Sequence, residues 1–369
     1  MTVNRRFCIQ STALVLAFAW TAVQAEQTWQ QFRGSGGRSS APTAKVPTDL
    51  NLDSNWVWKA EVPGRGVSSP VLMGDLVVVT SSGGSQGEHL FVTAWDQATG
   101  ERRWERRFWA TGRPYCHPTS ANAAPTPCTD EDRVYALFSS NDLVCLDRDG
   151  RLQWYRGLTY DSPHAANDVG MSSSPVLAGD VVVVQIENQG DSFVAGIRRD
   201  NGQTAWKAAR PREASWSSPL VVTDPADGNA IVLVQGSKAL VAYDAQRGEE
   251  VWSQTGSCNI IPSSASDGER LFVPLNGMSA LRIGGDGPPK LDWDASKAGP
   301  GSASAVVHEG TVYTVNRAGV LSAIDAESGT AQWQKRIGGQ YWATPVAIGH
   351  YLYLFDEGGT GRCVDLAEK

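Results

Sequence analysis

Apolar residues along this chain come in short alternating runs, and each run stops at glycine, aspartate or proline. A period of two marks β-strands, and the interruptions mark tight turns. The most regular stretch is AIDAESGTAQW at 323–333, where an alternating run reaches Asp325, a polar turn closes on Gly329 and a return run carries Trp333. Near copies read AWDQATGERRW at 94–104, CLDRDGRLQW at 145–154, GIRRDNGQTAW at 196–206 and AYDAQRGEEVW at 242–252. A stretched form, LRIGGDGPPKLDW, lies at 281–293. Each copy predicts a hairpin: the aspartate accepts hydrogen bonds from turn N–H groups, and the glycine supplies a left-handed backbone position. The tryptophan then places a large ring at a fixed point of every unit.

A second marker, close to S-S-P-V-L-x-G-D, precedes each hairpin. Taken at its proline position it falls at Pro70, Pro125, Pro175, Pro219, Ser264, Ala305 and Pro345, 40 to 55 residues apart. Each marker leads into a β-rich run such as LVVVTS at 76–81 or YLYLF at 351–355. Four short strands per repeat of this length predict the blade of an all-β propeller, whose radial closure leaves only short edges. Seven starts predict seven four-stranded blades, with eight as the alternative. The hairpin residues Trp104, Trp154, Trp206, Trp252, Trp293 and Trp333 are expected to dock between neighbouring blades.

The first 25 residues carry Arg5 and Arg6, no acid, an apolar run and the small-residue context Val23-Gln24-Ala25. That pattern predicts a signal peptide cleaved after Ala25, and hence a periplasmic or secreted protein. The apolar run is short for a membrane span and has no counterpart elsewhere, so no transmembrane anchor is expected. Without this segment the formal charge moves from −7 to −9, which argues against a nucleic-acid partner. The division expected is a leader at 1–25, an irregular strap at 26–54 and one propeller at 55–369, behaving as a monomer. The seventh repeat ends at 362–369 without a tryptophan-bearing fourth strand, and NWVWKAEVPG at 55–64 looks like that missing strand. Residues 56–62 are therefore expected to pair with 361–365 and close the ring, making the strap before them the more dispensable part.

The A-x-D-x-x-T-G-x-x-x-W hairpins and their P-V-x-x-G-D strands resemble the repeat of the pyrroloquinoline-quinone (PQQ)-like β-propellers. The opening W-x-x-F-R-G at 29–34 and the P-G-x-G-x-S-S-P join at 63–70 are similar to secreted PQQ-like repeat proteins. The resemblance spans residues 29 to about 366. It implies a propeller, and relatives of two kinds: quinoprotein alcohol dehydrogenases and the BamB-type scaffold of outer-membrane assembly. The dehydrogenases use a vicinal Cys-Cys pair, a Ca²⁺ site and a catalytic Asp, and this sequence has no Cys-Cys pair and no C-x-x-C-H. The expected function is a non-catalytic exported module that binds a protein segment or an extracellular ligand, with no cofactor. The alternative is a PQQ-dependent oxidoreductase acting on an alcohol or sugar with PQQ and Ca²⁺.

Loops entering the first strand of each blade converge on one face of a propeller, where binding residues gather. Read in order they offer Arg65, Arg113, Tyr115, His117, Asn122, His164, Asn167, Asp168, Trp216, Asn259, Tyr341 and Trp342, and His89 is expected to face the same way. Each could instead cap a loop or pack against a neighbour. Three of the five histidines fall in this set, yet no metal-ligand spacing occurs and no metal site is expected. Cys116 and Cys128 lie twelve residues apart and could bridge, whereas Cys145 and Cys363 occupy apolar strand positions suited to free thiols.

Overall fold

The computed structural model describes residues 29–41, 46–50, 55–166, 168–225, 227–284 and 287–367. The leader expected at 1–25 lies outside them. The repeats form seven four-stranded sheets. The first blade is built from Val71–Met73, Leu76–Gly83, His89–Asp96 and Arg102–Trp109, in that order from axis to rim. The next five repeat the pattern with antiparallel pairing throughout. In the second, Cys128 pairs with Tyr135 as Val71 pairs with Val78 in the first, so the repeat register there is Pro127. The sequence offers two prolines, Pro125 and Pro127, and pairing selects the later one, two residues beyond the expected position.

The signature hairpin has a structural reason at each position. The turn aspartates accept as expected: Asp96 Oδ1 takes N–H groups of Ala98 and Thr99 at 3.0 and 2.9 Å, and Asp325 those of Glu327 and Ser328 at 3.2 and 2.8 Å. Those backbone bonds hold both carboxyls below the usual carboxylate range. In six blades the tryptophan sits opposite a small residue, as Trp206 does Gly196 and Trp333 does Ala323, and a bulge follows immediately. The ring then crosses to the next blade. Trp104, Trp154, Trp206 and Trp293 donate their indole N–H to Arg148, Arg199, Ala245 and Ala326 carbonyls at 2.8 to 3.1 Å, each in the next blade's turn. A Cβ on that turn's glycine would strike the incoming ring, at 2.4 Å for Gly248 against Trp206. Glycine and tryptophan of the signature are thus contact partners between blades, beyond the glycine's φ of 69°.

Trp333 departs from its siblings: it is half-buried, at the edge of the core shared by the sixth and seventh blades, with its ring 6.1 Å from that of Tyr313.

The ring is not closed by the expected strand. Residues 56–62 form no strand, and Gly361–Asp365 pairs only with Tyr351–Phe355. The fourth strand of the seventh sheet is Ser40–Ala41, which runs parallel to Val346–Ile348 on the axial side. The physical reason is one of place: the free edge of the inner strand Val346–Ile348 lies where the strap runs, whereas Trp58 is held on the first blade's turn at Gln97 and Gly100. Trp58 of that stretch nevertheless makes a hairpin-like contact: its indole donates to Gln97 O at 2.8 Å and its ring covers Gly100 of the first blade, as the hairpin tryptophans do elsewhere.

The strap circles the axis in blade order. Trp29 O accepts from Leu72 N in the first blade and Gln30 O from Thr129 N in the second; Gly37 meets Leu220 in the fourth. Arg38 then donates to Ser266 O in the fifth and accepts from Val307 N in the sixth, and Ser39 O accepts from Ala347 N in the seventh. A second belt lies two or three residues earlier on the inner strands. There each blade's backbone N–H donates to the next blade's hydroxyl: Ser69 to Thr126, Thr126 to Ser174, Ser174 to Ser218, Ser218 to Ser263 and Ser263 to Ser304 at 2.9 to 3.0 Å, then Ser304 to Thr344 at 3.3 Å.

The five cysteines described are free thiols. Cys116 lies in a loop and Cys128 is buried in an inner strand, so the bridge offered by their spacing does not form. Burial pushes the Cys145 thiol up to about 12 and that of Cys258 up to about 11. Only thiolate reacts. A thiol reagent at pH 8 is therefore expected to modify Cys116 and Cys363 in the folded protein, and Cys128, Cys145 and Cys258 only after denaturation. Rapid labelling of Cys145 without denaturant would contradict this packing.

Candidate binding face

Each connection from the rim strand of one blade to the inner strand of the next must cross the end of the ring, and these crossings touch one another in sequence. In the first crossing, the Arg113 guanidinium lies 5.0 Å from the centre of the Tyr115 ring and 3.6 Å from the Asp168 carboxylate of the second. His117 N–H donates to Val169 O at 3.0 Å, and its ring Nδ1 lies 2.7 Å from Thr119 Oγ1. Trp216 of the third crossing donates its indole N–H to Gly170 O at 2.8 Å and its backbone N–H to Ile260 O at 2.8 Å. Asn259 of the fourth donates to Gly301 O of the fifth at 3.3 Å. The loops of the first five crossings thus form one connected surface, with Tyr115 at 52% exposure, and Trp342 of the sixth crossing is 59% exposed. Arg65 extends it, donating to Pro118 O at 2.6 Å.

Three expected members behave differently. Asn122 is buried, its amide donating to Gly87 O at 3.1 Å and accepting from Ser140 N at 2.8 Å, so it ties two inter-strand turns together and is not available to a ligand. Tyr341 is also buried, and desolvation raises its phenol. His89 is the first residue of a strand, not a loop residue, and packs edge-on to Trp109 at 4.5 Å. Asn167 lies outside the described residues. His164 is exposed, 3.5 Å from the Asp191 carboxylate. The three histidines do not converge: no group of three metal-ligating side chains occurs among the described residues.

Sequence reading missed Trp109 and Tyr160, exposed at 62% and 87% where rim strands end at the same crossings. Their positions just after the hairpin tryptophan were the available signal. It also missed a cavity of about 230 Å³ between the third and fourth blades. At its base the buried Glu187 and Arg210 pair at 2.6 Å, with Arg210 donating to Tyr243 Oη at 3.1 Å. Desolvation raises the Glu187 carboxyl against the pull of Arg210.

The family described as outer membrane protein assembly factor BamB matches residues 51–195, 190–283 and 288–368. The chain belongs to this family. BamB of Bordetella pertussis is 24% identical over 323 residues, covering 81% of this chain and 73% of that protein. BamB of Alkalilimnicola ehrlichii is 31% identical over 157 residues, which span 39% of this chain and only 38% of that relative's length. Among solved structures, BamB from Moraxella catarrhalis superposes with a TM-score of 0.59 at 16% identity, covering 81% of this chain and 82% of that one. A quinohemoprotein alcohol dehydrogenase from Comamonas testosteroni gives 0.64 at 12% identity over 92% of this chain and 73% of its own. Identities this low speak for the propeller fold alone.

Proposed function

We propose that this chain is a non-catalytic, exported scaffold that holds a protein segment on its crossing-loop face during outer-membrane protein assembly. The observation that carries the reading is membership of a family described by that role across nearly the whole propeller. The leader-like sequence at 1–25 supports export to the periplasm, and no helix among the described residues is long and apolar enough to cross a membrane. Exposed Tyr115, Trp342 and Trp109, together with exposed Arg65, Arg113, His117 and His164 in the same crossing loops and rim-strand ends, supply the mixture of aromatic anchors and polar groups that protein interfaces favour.

The test is capture of envelope proteins on the immobilised mature chain, compared with the triple variant His117→Ala, His164→Ala and Trp342→Ala. All three side chains are exposed, and such substitutions usually change stability by no more than about 0.5 kcal/mol each. The variant is expected to keep its melting temperature while losing capture of an outer-membrane assembly component. Unchanged capture would reject this face. Alcohol-dependent dye reduction after incubation with PQQ and Ca²⁺ would reject the non-catalytic reading.

A further inference from the structure

The cavity of about 230 Å³ between the third and fourth blades has a floor whose hydrogen-bonding groups are only partly engaged. Glu187 and Arg210, both buried, pair there at 2.6 Å. Glu187 uses both oxygens within the protein, one accepting from Arg210 Nε and the other from Gln185 Nε2 at 3.2 Å. Arg210 is less complete. Its Nε and Nη1 donate to Glu187 and to Tyr243 Oη, whereas Nη2 meets no acceptor among the described residues. Tyr243 Oη receives that bond at 3.1 Å and gives its own proton to no described group. Gly236, on the cavity wall, keeps this edge open. A Cβ there would stand 2.8 Å from Arg210 Nη2 and 3.6 Å from Glu187 Oε1. Its backbone is not left-handed, so the local conformation does not call for glycine and the missing side chain leaves space instead.

Unused donors on a cavity floor call for an acceptor, and the charge of the floor decides its kind. Glu187 already balances Arg210, so a carboxylate or phosphate would add a net charge to a poorly solvated place, which is costly, whereas an uncharged carbonyl oxygen adds none. Ala209, Pro211, Ala239 and Val241 line the walls with apolar carbon that suits a short methylene stem. Among the carboxylates of the lining, Glu213 is engaged by Lys238 and Ser237, while the exposed Glu250 of the rim strand offers an acceptor toward solvent. A carbonyl with N–H groups beside it answers both ends. We propose that this cavity binds a carboxamide, the side chain of a glutamine or asparagine, with its C=O toward Arg210 Nη2 and Tyr243 Oη and its NH₂ toward Glu250. Arg210 opens the crossing that carries Trp216, so the cavity borders the candidate binding face. The inference rests on the scaffold reading above for its source: the amide belongs to the held protein segment and not to a free small molecule.

The test is a saturation-transfer NMR titration of the mature chain at pH 7 with end-blocked Ala-Gln-Ala, its Ala-Glu-Ala and Ala-Met-Ala counterparts, and acetamide. The glutamine peptide is expected to bind saturably, and the glutamate and methionine peptides, matched in size, at least about tenfold more weakly, since one adds charge and the other lacks the acceptor. Gly236→Ala is expected to abolish binding. Tyr243→Phe is expected to weaken it about three- to tenfold, the range of one neutral hydrogen bond. Equal binding of the glutamate peptide, or unchanged binding by Gly236→Ala, would overturn the proposal, and acetamide binding as tightly as the peptide would overturn the segment as the source. If Gly236→Ala fails to fold, wild-type crystals soaked in the glutamine peptide decide: the side-chain oxygen is expected within hydrogen-bond distance of Arg210 Nη2, and a cavity without it rejects the site. No captured partner enters this measurement, so lost peptide binding and lost capture by the His117, His164 and Trp342 variant are separate results.

Discussion

Deleting residues 26–41 is expected to abolish cooperative melting and drive the protein into aggregates. The described part of this segment, residues 29–41, makes no sheet beyond Ser40–Ala41, yet it bonds in turn to inner strands of the first, second, fifth, sixth and seventh blades. Without it the N–H groups of Leu72, Thr129, Val307 and Ala347 lose their acceptors. Each buried donor left unpaired costs about 1–3 kcal/mol, and whole-protein stability is typically only about 5–15 kcal/mol. The deletion also removes the parallel partner of Val346–Ile348 and opens an axial strand edge of the kind that recruits other chains. The sequence had suggested the reverse ranking, with the strap dispensable and residues 56–62 essential. The measurement is calorimetry and size-exclusion chromatography on the deleted and intact mature chains. A melting transition within error of the intact chain would show that the belt follows the ring without holding it.

Trp206→Ala is expected to cost about 3–5 kcal/mol, the range for truncating a buried large aromatic. The ring is 7% exposed, packs among Val232, Val234, Val241 and Ala245, and stacks at 6.4 Å on Tyr243 of the next blade. The substitution also strips the Ala245 carbonyl of its indole donor, a bond of 2.9 Å. Trp58 makes the same kind of bond but is half-buried, so Trp58→Ala is expected to cost about half as much, on the order of 2 kcal/mol. Chemical denaturation with the slope held in view measures both. Equal losses would mean that Trp58 closes the ring as firmly as a true blade strand; no loss at Trp206 would deny that the tryptophans join the blades.

What the sequence determined by itself is what one repeat decides locally. The alternation of apolar residues, the Asp325-to-Gly329 turn and the recurring tryptophan each act within a dozen residues, so their spacing was enough to count seven blades and to locate their strands. That the seventh repeat lacks a tryptophan was legible too, because the other repeats show its place, although the strand expected at 56–62 to supply it does not pair. The tertiary structure decided whatever depends on groups far apart in the chain. The strap has no alternation because its hydrogen bonds go one at a time to different blades, and Arg33 reads as an ordinary loop arginine until Ser263 and Ser264 close around it, some 230 residues away. Asn122 and Tyr341 looked like surface polar groups because burial is set by neighbours the local sequence does not contain. Proline spacing could not choose between Pro125 and Pro127, since both satisfy the local pattern and only pairing with Arg133–Leu137 tells them apart.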